Sequence, residues 1–270
     1  MANIFNLMNL KKTYYYLKRN GVMQTIGAAL ERVQAPYFAD YDYVLPSKQE
    51  LELQKNVKWN RPVTFSIVVP AYETKEVFLK VLIDSMLEQT YPHWELILAD
   101  ASSTDNVKNY CEQYQDSRIK YVSLESNLGI SENTNQGLEF ACGEYIGLLD
   151  HDDYLTSDAL YEMAKAIEKG KEQNREYGLL YSDEDKCNGD ATAFFEPHRK
   201  TKFNLDLILS NNYICHFCVM KRQLMQELQF RSVCDGAQDY DLVLRAVAAM
   251  GVYDDPKRET FIGHVPKVLY

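Results

Sequence analysis

The sequence predicts an α/β fold with a mostly parallel central sheet and helices on both of its faces. From residue 64 onward, short runs of β-branched and apolar residues alternate with segments of helical periodicity. The runs are apolar throughout, as is typical of strands buried on both faces. Successive strand–helix units of this kind favour parallel strands joined by right-handed crossovers.

Four strand–helix units make up the first part of this pattern. The first strand, TFSIVVP, precedes a helix whose apolar residues, among them Phe78, Leu82 and Met86, recur along one stripe. The expected strands are 64–70, 94–100, 118–124 and 144–150, and the later helices of these units span 106–114, 130–141 and 156–168.

After residue 177 the alternation becomes less regular, although strands and helices can still be assigned. The pattern predicts strands at 177–185 and 212–220, helices at 204–210 and 238–250, and an edge strand at 264–270. These elements extend the same domain, because no low-complexity tract or internal repeat separates them from the first four units.

The first 33 residues are predicted to be helical, with a break near Gly21. Residues 1–32 hold five basic side chains and one acidic side chain, whereas the whole chain has a net charge of −10. A basic helix with an aromatic face can lie on an anionic membrane surface. The alternative is that it packs against the main domain or against a second copy of the chain, as in a homodimer.

A Tyr-rich linker over residues 34–46 follows this helical segment. Ser47 and Glu50 then form a capping-box pattern that starts a short helix ending near Val57. We therefore divide the chain into an N-terminal helical extension, residues 1–60, and a main domain, residues 61–270.

Composition limits the classes of function. Apolar residues make up 46% of the chain and charged residues 25%, which is ordinary for a globular protein. A net charge of −10 argues against nucleic acid as a main partner, because phosphate binding needs a basic face. Six scattered cysteines, with no secretory signal and no long apolar stretch, predict reduced thiols and a cytoplasmic location.

Polar and acidic residues follow the ends of the predicted strands. Asp100 ends the second strand, Asn127 follows the third, and Asp150 ends the fourth with Asp152 close behind. Ligands bind beyond the carboxyl ends of the strands in open α/β sheets. The sequence therefore predicts a binding site at this edge of the sheet.

The acidic character of this edge points to a metal ion. The chain has no glycine-rich phosphate loop, and carboxylates alone would repel a diphosphate. Asp150 and Asp152 can bind one divalent cation, Mn²⁺ or Mg²⁺, which in turn binds phosphate oxygens. The alternative is that Asp152 and Asp153 only shape a turn before the next helix.

The linked series of motifs resembles glycosyltransferase family 2, an inverting group with the GT-A fold. The segments that carry the resemblance are SIVVPAYE, DASSTD, NLGISENTNQGLEFACGEYIGLLDHDD and GAQDYDLVLR, and the likeness covers residues 62–270. The motifs LYSDEDK and HVPKVLY are similar to those of bacterial members that build cell-wall or surface polysaccharides. The resemblance implies that residues 64–153 bind a nucleotide-sugar and residues 154–270 the acceptor.

The resemblance also assigns roles to individual positions. Asp239 would be the catalytic base that takes a proton from the acceptor hydroxyl. Asp152 would be the principal metal ligand, supported by Asp150 and, as a candidate third ligand, His264. The residues expected to bind the donor nucleotide are Pro70, Ala71, Glu73, Asp100, Asp105, Asn127 and Asp150.

Alternatives remain for several of these residues. Asp239 can instead stabilise the start of the helix at 238–250 through its negative charge. Cys215 and Cys218 are spaced like zinc ligands, but residues three apart in a strand point to opposite faces, so we expect no zinc there. His216 between them either faces the acceptor pocket or is simply hydrogen-bonded.

The implied activity is inverting transfer of a sugar from a UDP- or dTDP-linked donor to a hydroxyl of a glycan or lipid-linked saccharide. The expected setting is bacterial surface polysaccharide synthesis, in the cytoplasm or at the inner face of the membrane. Two other functions remain open, a sugar nucleotidyltransferase and a non-catalytic nucleotide- or carbohydrate-binding module. The chain departs from family patterns in having no basic residue around Asn133 and Thr134, and it lacks the Gln-x-x-Arg-Trp element of processive members.

Overall fold

A computed structural model describes Leu17, Lys18, Val22 and residues 43–188 and 192–270 of the chain. The chain divides into two compact units, Met1–Asp42 and Tyr43–Tyr270. The predicted helical segment at residues 1–33 lies outside the described residues except for Leu17, Lys18 and Val22, which are helical. The boundary at residue 60, the membrane contact and the homodimer stay predictions. No helix within the described ranges is long and apolar enough to cross a membrane.

The second unit alternates strands and helices as the sequence predicts. The strands are β1 (Phe65–Ala71), β2 (Trp94–Asp100), β3 (Ile119–Ser123), β4 (Tyr145–Leu148), β5 (Leu179–Cys187), β6 (Phe194–His198), β7 (Cys218–Lys221) and β8 (Ile262–Val268). The helices are α1 (Lys48–Lys55), α2 (Glu76–Leu87), α3 (Asn106–Cys111), α4 (Ile130–Leu138), α5 (Ala159–Glu172), α6 (Leu205–Ser210), α7 (Arg222–Leu228) and α8 (Gln238–Ala249), with short 3₁₀ helices at Ser232–Cys234 and Pro256–Phe261.

One sheet of eight strands organises this unit. Its order is β3-β2-β1-β4-β7-β5-β6, with β8 added beside β5. The pairs β1–β2, β1–β4 and β2–β3 are parallel, and so is β5–β8. The pairs that β7 makes with β4 and β5 are antiparallel, as is β5–β6. The predicted mostly parallel sheet is therefore confirmed, and the carboxyl ends of β1, β2 and β4 meet at one edge.

The sheet is covered on both faces, as the continuous apolar strands require. Along β1, Phe65, Ile67 and Val69 belong to one buried cluster, which includes residues of α2 and α5. Val68 belongs to a second cluster, which includes residues of α8. Because successive side chains of a strand point to opposite faces, the two clusters lie on opposite sides of the sheet.

A buried carboxylate ties β1 and β2 to the turn before β4. Glu95 accepts hydrogen bonds from Ser66 Oγ at 2.5 Å and from the Cys142 amide at 2.7 Å, and Lys120 Nζ lies 2.6 Å from its other oxygen. A Cβ on Gly143 would come within 2.7 Å of the carbonyl oxygen of Thr64. The turn therefore needs glycine at that position, because the backbone of β1 approaches so closely.

The predicted strand at 212–220 is wrong for most of its length. In the structure only Cys218–Lys221 forms a strand. The carbonyl groups of Ile214 and His216 accept hydrogen bonds from the side chain of Lys200 instead of from a neighbouring strand. Apolar residues precede β7 because this segment is buried, not because it is extended in the sheet.

The predictions also missed two elements. β6 contains Pro197, which indicates a position at the edge of a sheet or outside it. α7 begins directly after β7 with no capping side chain at Lys221. The capping box of α1 is confirmed: the Ser47 amide donates to Glu50 Oε2 at 2.7 Å, and the Glu50 amide donates to Ser47 Oγ at 3.2 Å.

Candidate active site

The end of β2 places a buried carboxylate beside the turn that follows β1. Asp100 is only 2% exposed. Its Oδ1 accepts from the Ser102 amide at 3.0 Å, and its Oδ2 accepts from Tyr121 Oη at 3.0 Å. Burial, together with the hydrogen bond to Asp100 and its negative charge, raises the pKa of Tyr121 to about 12. The carboxylate is therefore fixed in orientation by the polypeptide around it.

Glu73 connects the turn after β1 to the loop after β2. Its backbone lies in the left-handed region, with φ of 48°, and its amide donates to Ser102 Oγ at 2.7 Å. Its carboxylate accepts from the Ser103 amide at 2.9 Å and from Thr104 Oγ1 at 3.1 Å. The hydrogen bond from Ser103 lowers the pKa of Glu73. Asp105, by contrast, is exposed at the start of α3 and makes no side-chain cap there.

The loop before α4 is held by two asparagines. Asn127 Oδ1 accepts from the Gly129 amide at 3.1 Å and from Asn133 Nδ2 at 2.9 Å, and Asn133 Oδ1 accepts from the Leu128 amide at 3.1 Å. Gly129 has φ of 95°, and a Cβ there would lie 2.9 Å from Asp235 Oδ2. The loop before α8, which contains Asp235, therefore comes close to the loop before α4.

A cavity of about 230 Å³, called the inner cavity below, lies at this edge of the sheet. Asp150 and Asp239 both line it, although 89 positions separate them in the chain. The other residues that line the cavity are Pro70, Ile130, Thr134, Leu148, Leu149, Cys215, His216, Cys218, Phe230, Gly236 and Gln238. The fold thus brings together the two carboxylates to which the sequence assigned metal binding and base catalysis.

The surroundings of Asp150 disfavour its ionised form, chiefly through burial. Burial raises the pKa of Asp150, and the negative charges of Asp152 and Asp239 raise it further, whereas His216 and His151 act in the opposite direction. Asp152 and Asp239 therefore each lie close enough to repel the carboxylate of Asp150. A bound cation would relieve this repulsion.

Asp239 lies in the first turn of α8 and is half-buried. Asn212 Nδ2 donates to Asp239 Oδ2 at 2.9 Å. The Asn212 Oδ1 atom is buried and has no hydrogen-bond partner among the described residues. Asn212, a residue that the sequence did not single out, therefore fixes one carboxylate oxygen of Asp239.

A larger cavity of about 670 Å³, called the outer cavity below, lies beside the first. Asp152, which is exposed, lines the outer cavity and not the inner one. His216 lines both. The remaining residues of the outer cavity are Tyr43, Phe78, Val81, Asp153, Tyr154, Thr156, Glu184, Asp185, Lys186, Cys187, Asn188, Phe194, Phe195, Glu196, His198 and Tyr270.

His264 is part of a different arrangement. Its Nε2 lies 2.8 Å from Asp183 Oδ1, both side chains are nearly buried, and its ring stacks on Tyr181 with centroids 4.9 Å apart. Within the part of the chain that the structure describes, no group of three or more His, Cys, Asp or Glu residues is arranged to hold a metal ion. The metal roles of His264, Asp150 and Asp152 stay predictions.

The chain is similar to several known proteins. A family model described as glycosyl transferase family 2 matches residues 66–229. The uncharacterized protein y4gI of Sinorhizobium fredii is 37% identical over 211 residues, covering 76% of this chain and 22% of that protein. The O-antigen biosynthesis protein RfbC of Myxococcus xanthus is 28% identical over 256 residues, covering 91% of this chain and 19% of the relative. The chain thus spans about a fifth of both relatives.

A relative of similar size and two solved structures extend the comparison. The putative colanic acid biosynthesis glycosyl transferase WcaA of Escherichia coli is 28% identical, covering 76% of this chain and 74% of that protein. Residues 1–349 of Staphylococcus aureus TarS, solved with UDP, match with a TM-score of 0.60 at 21% identity, covering 77% of this chain and 59% of the TarS chain. The mannosyltransferase PcManGT of Pyrobaculum calidifontis, solved with GDP-Man and Mn²⁺, matches with a TM-score of 0.53 at 16% identity, covering 82% of this chain and 62% of the PcManGT chain. These likenesses confirm the predicted fold class.

Proposed function

We propose a reaction for this chain from one premise: it belongs to glycosyl transferase family 2, whose model covers more than half of its length. The proposed reaction is inverting transfer of a sugar from a UDP- or dTDP-linked donor to a hydroxyl of a glycan or lipid-linked saccharide. The observation that carries the proposal is that Asp150 and Asp239 line one cavity at the carboxyl edge of the sheet. Relatives named for O-antigen and colanic acid biosynthesis support a role in bacterial surface polysaccharide synthesis. The proposed setting is the cytoplasm or the inner face of the membrane.

The donor nucleotide would bind along the ends of β1 and β2. Asp100 would accept a hydrogen bond from the base, because its carboxylate is already oriented by the Ser102 amide and Tyr121. Pro70 and Ala71 end β1, Glu73 braces the turn that follows, and Asn127 orders the neighbouring loop. Asp105 would reach the nucleotide from the exposed start of α3. The co-crystal of TarS with UDP supports a uracil nucleotide.

A divalent cation fits the charge of this edge. Burial and the negative charge of Asp152 both raise the pKa of Asp150, and a bound cation would offset both effects. Asp150 and Asp152 would hold Mn²⁺ or Mg²⁺, and the donor's phosphate oxygens would supply the ligands that the protein does not. When bound, the ion neutralises the charge of the diphosphate.

Asp239 would act as the general base. Asn212 fixes its Oδ2, and its Oδ1 makes no hydrogen bond to a described residue, so this oxygen can accept the proton of the acceptor hydroxyl. The acceptor oxygen attacks the anomeric carbon as its O–H bond breaks, and the bond from that carbon to the diphosphate breaks. Attack opposite to the leaving group inverts the configuration at that carbon.

The acceptor sugar would enter through the outer cavity. The rings of Tyr43 and Phe194, with centroids 5.1 Å apart, form part of its aromatic wall, against which a sugar ring can pack. The same cavity carries Asp152, Asp153 and Glu184, so an uncharged sugar fits it better than an anionic one.

The test is a transfer assay on the full chain with UDP- and dTDP-sugars, p-nitrophenyl glycosides as acceptors, and Mn²⁺ or Mg²⁺. Release of the nucleoside diphosphate and formation of a disaccharide are measured, and NMR of the product reports the anomeric configuration. Asp152→Asn should nearly abolish transfer and weaken Mn²⁺-dependent UDP binding. The matched control, Asp254→Asn, changes an exposed carboxylate that lines neither cavity and should behave like the wild type.

The same assay separates the other functions. Pyrophosphate release from a nucleoside triphosphate and a sugar phosphate would identify a nucleotidyltransferase. Binding of UDP without turnover of any donor would identify a non-catalytic module. Either result would overturn the proposed transfer.

A further inference from the structure

The side chain of Lys200 is fully buried, and its ammonium group has no role in the proposed reaction. Its exposed fraction is 0%. Its Nζ donates to the carbonyl oxygen of Ile214 at 2.9 Å, to Glu184 Oε2 at 3.2 Å and to the carbonyl oxygen of His216. An ammonium group has three donors, so each of its protons has an acceptor here.

The backbone that Lys200 holds is the irregular segment before β7. Buried carbonyl groups need a hydrogen-bond partner, and pairing with β5 begins only at Phe217, whose carbonyl oxygen accepts from the Ser182 amide at 3.0 Å. Glu184, in β5, completes the arrangement because its Oε2 accepts from the His216 amide. Lys200 and Glu184 thus bind both the carbonyl and the amide of His216.

This arrangement is costly to build, since a buried charge must be compensated. Burial lowers the pKa of Lys200, and the negative charge of Glu184 opposes that change. The other oxygen of Glu184 lies 3.2 Å from His198 Nδ1, so the carboxylate is held on both sides. The ammonium and the carboxylate together fix the position of the backbone at residue 216.

The imidazole of His216 is the side chain that this backbone carries to the active site. It lines both the inner cavity and the outer cavity. Its ring stacks on Tyr270 with centroids 5.0 Å apart and an interplanar angle of 18°, and Tyr270 Oη donates to Asp153. The ring therefore stands where the two cavities meet.

We propose that Lys200 is a positioning residue for sugar transfer: it fixes the backbone of His216 so that the imidazole contacts the acceptor where the outer cavity opens towards Asp239. This inference rests on the proposed function, because it needs an acceptor that passes from the outer cavity to the inner one. Lys200 itself touches no substrate.

The first experiment follows the imidazole directly. The full chain is labelled with ¹⁵N-histidine, and His216→Ala identifies the His216 signal among the five histidines by its loss. Lys200→Met removes the ammonium but keeps most of the buried aliphatic volume. The His216 signal should move or broaden in this variant and stay unchanged in Lys202→Met, an exposed lysine two positions away. An unchanged signal in folded Lys200→Met would overturn the proposal.

A second variant covers the case in which Lys200→Met does not fold. Lys200→Met combined with Glu184→Gln removes both charges, so no buried charge is left alone. We expect this double variant to fold while its His216 signal remains displaced and its transfer rate stays low. A double variant with a wild-type His216 signal and wild-type transfer would show that Lys200 only neutralises Glu184.

The third measurement separates positioning from general damage. In Lys200→Met, kcat/KM for the p-nitrophenyl acceptor should fall about 10–100-fold, as expected for a displaced contact residue. The Kd of UDP in the presence of Mn²⁺ should change less than about twofold, because no hydrogen bond or ion pair within the described residues joins Lys200 to a predicted nucleotide residue. A loss of UDP affinity as large as the loss of kcat/KM would count against a role in positioning the acceptor.

A double-mutant cycle then shows whether Lys200 acts through His216. In a His216→Ala background, Lys200→Met should cause little further loss, because the side chain it positions is absent. A further loss as large as that in the wild-type background would overturn the proposal. If the wild type transfers no sugar from any donor, the proposed function fails, and the His216 signal still decides whether Lys200 positions that residue.

Discussion

Replacing Asp239 by asparagine exchanges a carboxylate for an amide of nearly the same shape. The side chain starts α8, where Asn212 Nδ2 donates to its Oδ2 at 2.9 Å. An amide oxygen can accept that same hydrogen bond, so the local structure should persist. What disappears is the ability to take a proton, together with one negative charge at the start of the helix.

The two possible roles of Asp239 predict effects of different size. A general base contributes about 10²–10⁴-fold to the rate, which corresponds to about 2.7–5.4 kcal/mol in the activation free energy. A negative charge in the first turn of a helix contributes about 0.3–1 kcal/mol to the stability of the folded protein. We therefore expect kcat to fall at least about 100-fold in Asp239→Asn, with a small decrease in the free energy of unfolding.

The assay compares Asp239→Asn with Asp241→Asn, which removes the same charge from the same turn of α8. Asp241 forms ion pairs with Arg231 and with Arg245, the latter at 2.8 Å. It lines neither the inner nor the outer cavity. Asp241→Asn should lose stability and keep its kcat, whereas Asp239→Asn should lose most of its kcat and only a little stability. The readouts are kcat at saturating donor and Mn²⁺, and denaturant unfolding.

Equal kcat values for Asp239→Asn and the wild type would refute the reasoning. The residue would then serve only the start of the helix, and the base would have to be sought among the other groups of the inner cavity. UDP binding should be nearly unchanged in Asp239→Asn, because the predicted base faces the acceptor hydroxyl and not the nucleotide.

Four further predictions follow from named contacts. Asp100→Asn should raise the Kd of UDP about tenfold or more, by calorimetry, because a charged hydrogen-bond acceptor is lost; an unchanged Kd would remove Asp100 from the nucleotide site. Glu95→Gln should cost about 2 kcal/mol in the free energy of unfolding at pH 7. Burial alone would raise the pKa of Glu95, but the bonds from Lys120, Ser66 and the Cys142 amide lower it. The difference in unfolding free energy between wild type and Glu95→Gln should therefore reach its full size above the ordinary carboxyl pKa and disappear as the pH falls through the lowered pKa of Glu95. A difference that does not depend on pH would contradict this. Gly143→Ala should destabilise by about 1–3 kcal/mol in thermal unfolding, since a Cβ would meet the backbone of β1; a wild-type Tm would show that the turn can relax. His264→Gln should lower the Tm through the lost contact with Asp183 and, as the loss of a predicted metal ligand, raise the Mn²⁺ concentration that transfer requires; an unchanged requirement would remove His264 from the metal site.

Among the first four strands, β1, β2 and β4 could be predicted from sequence because they are buried on both faces. A run such as WELILAD has no polar face to offer, and every residue of β2 is indeed buried. The capping box at Ser47 was equally predictable, since both of its hydrogen bonds lie within four residues. In these cases the information that fixes the structure is local in the chain.

The segment before β7 shows why local patterns fail elsewhere. Residues 212–217 are mostly apolar and β-prone, yet the carbonyl groups of Ile214 and His216 bind the ammonium of Lys200 and not a neighbouring strand. Lys200 lies in a polar stretch that predicts nothing about a buried cation. A short segment of sequence contains either Lys200 or the residues whose carbonyl groups it binds, but not both. A local pattern therefore cannot indicate the contact.

The sequence by itself determined the fold class and the acidic residues at the strand ends, because apolar runs and turn residues act over a few positions. It also indicated Asp150 and Asp239 as functional residues, through separate motifs. Only the tertiary structure decided that these two carboxylates line one cavity, that Asp152 faces another, and that His216 stands between them. The physical reason is that long-range packing places distant segments side by side, and burial and charge at such a site depend on that packing.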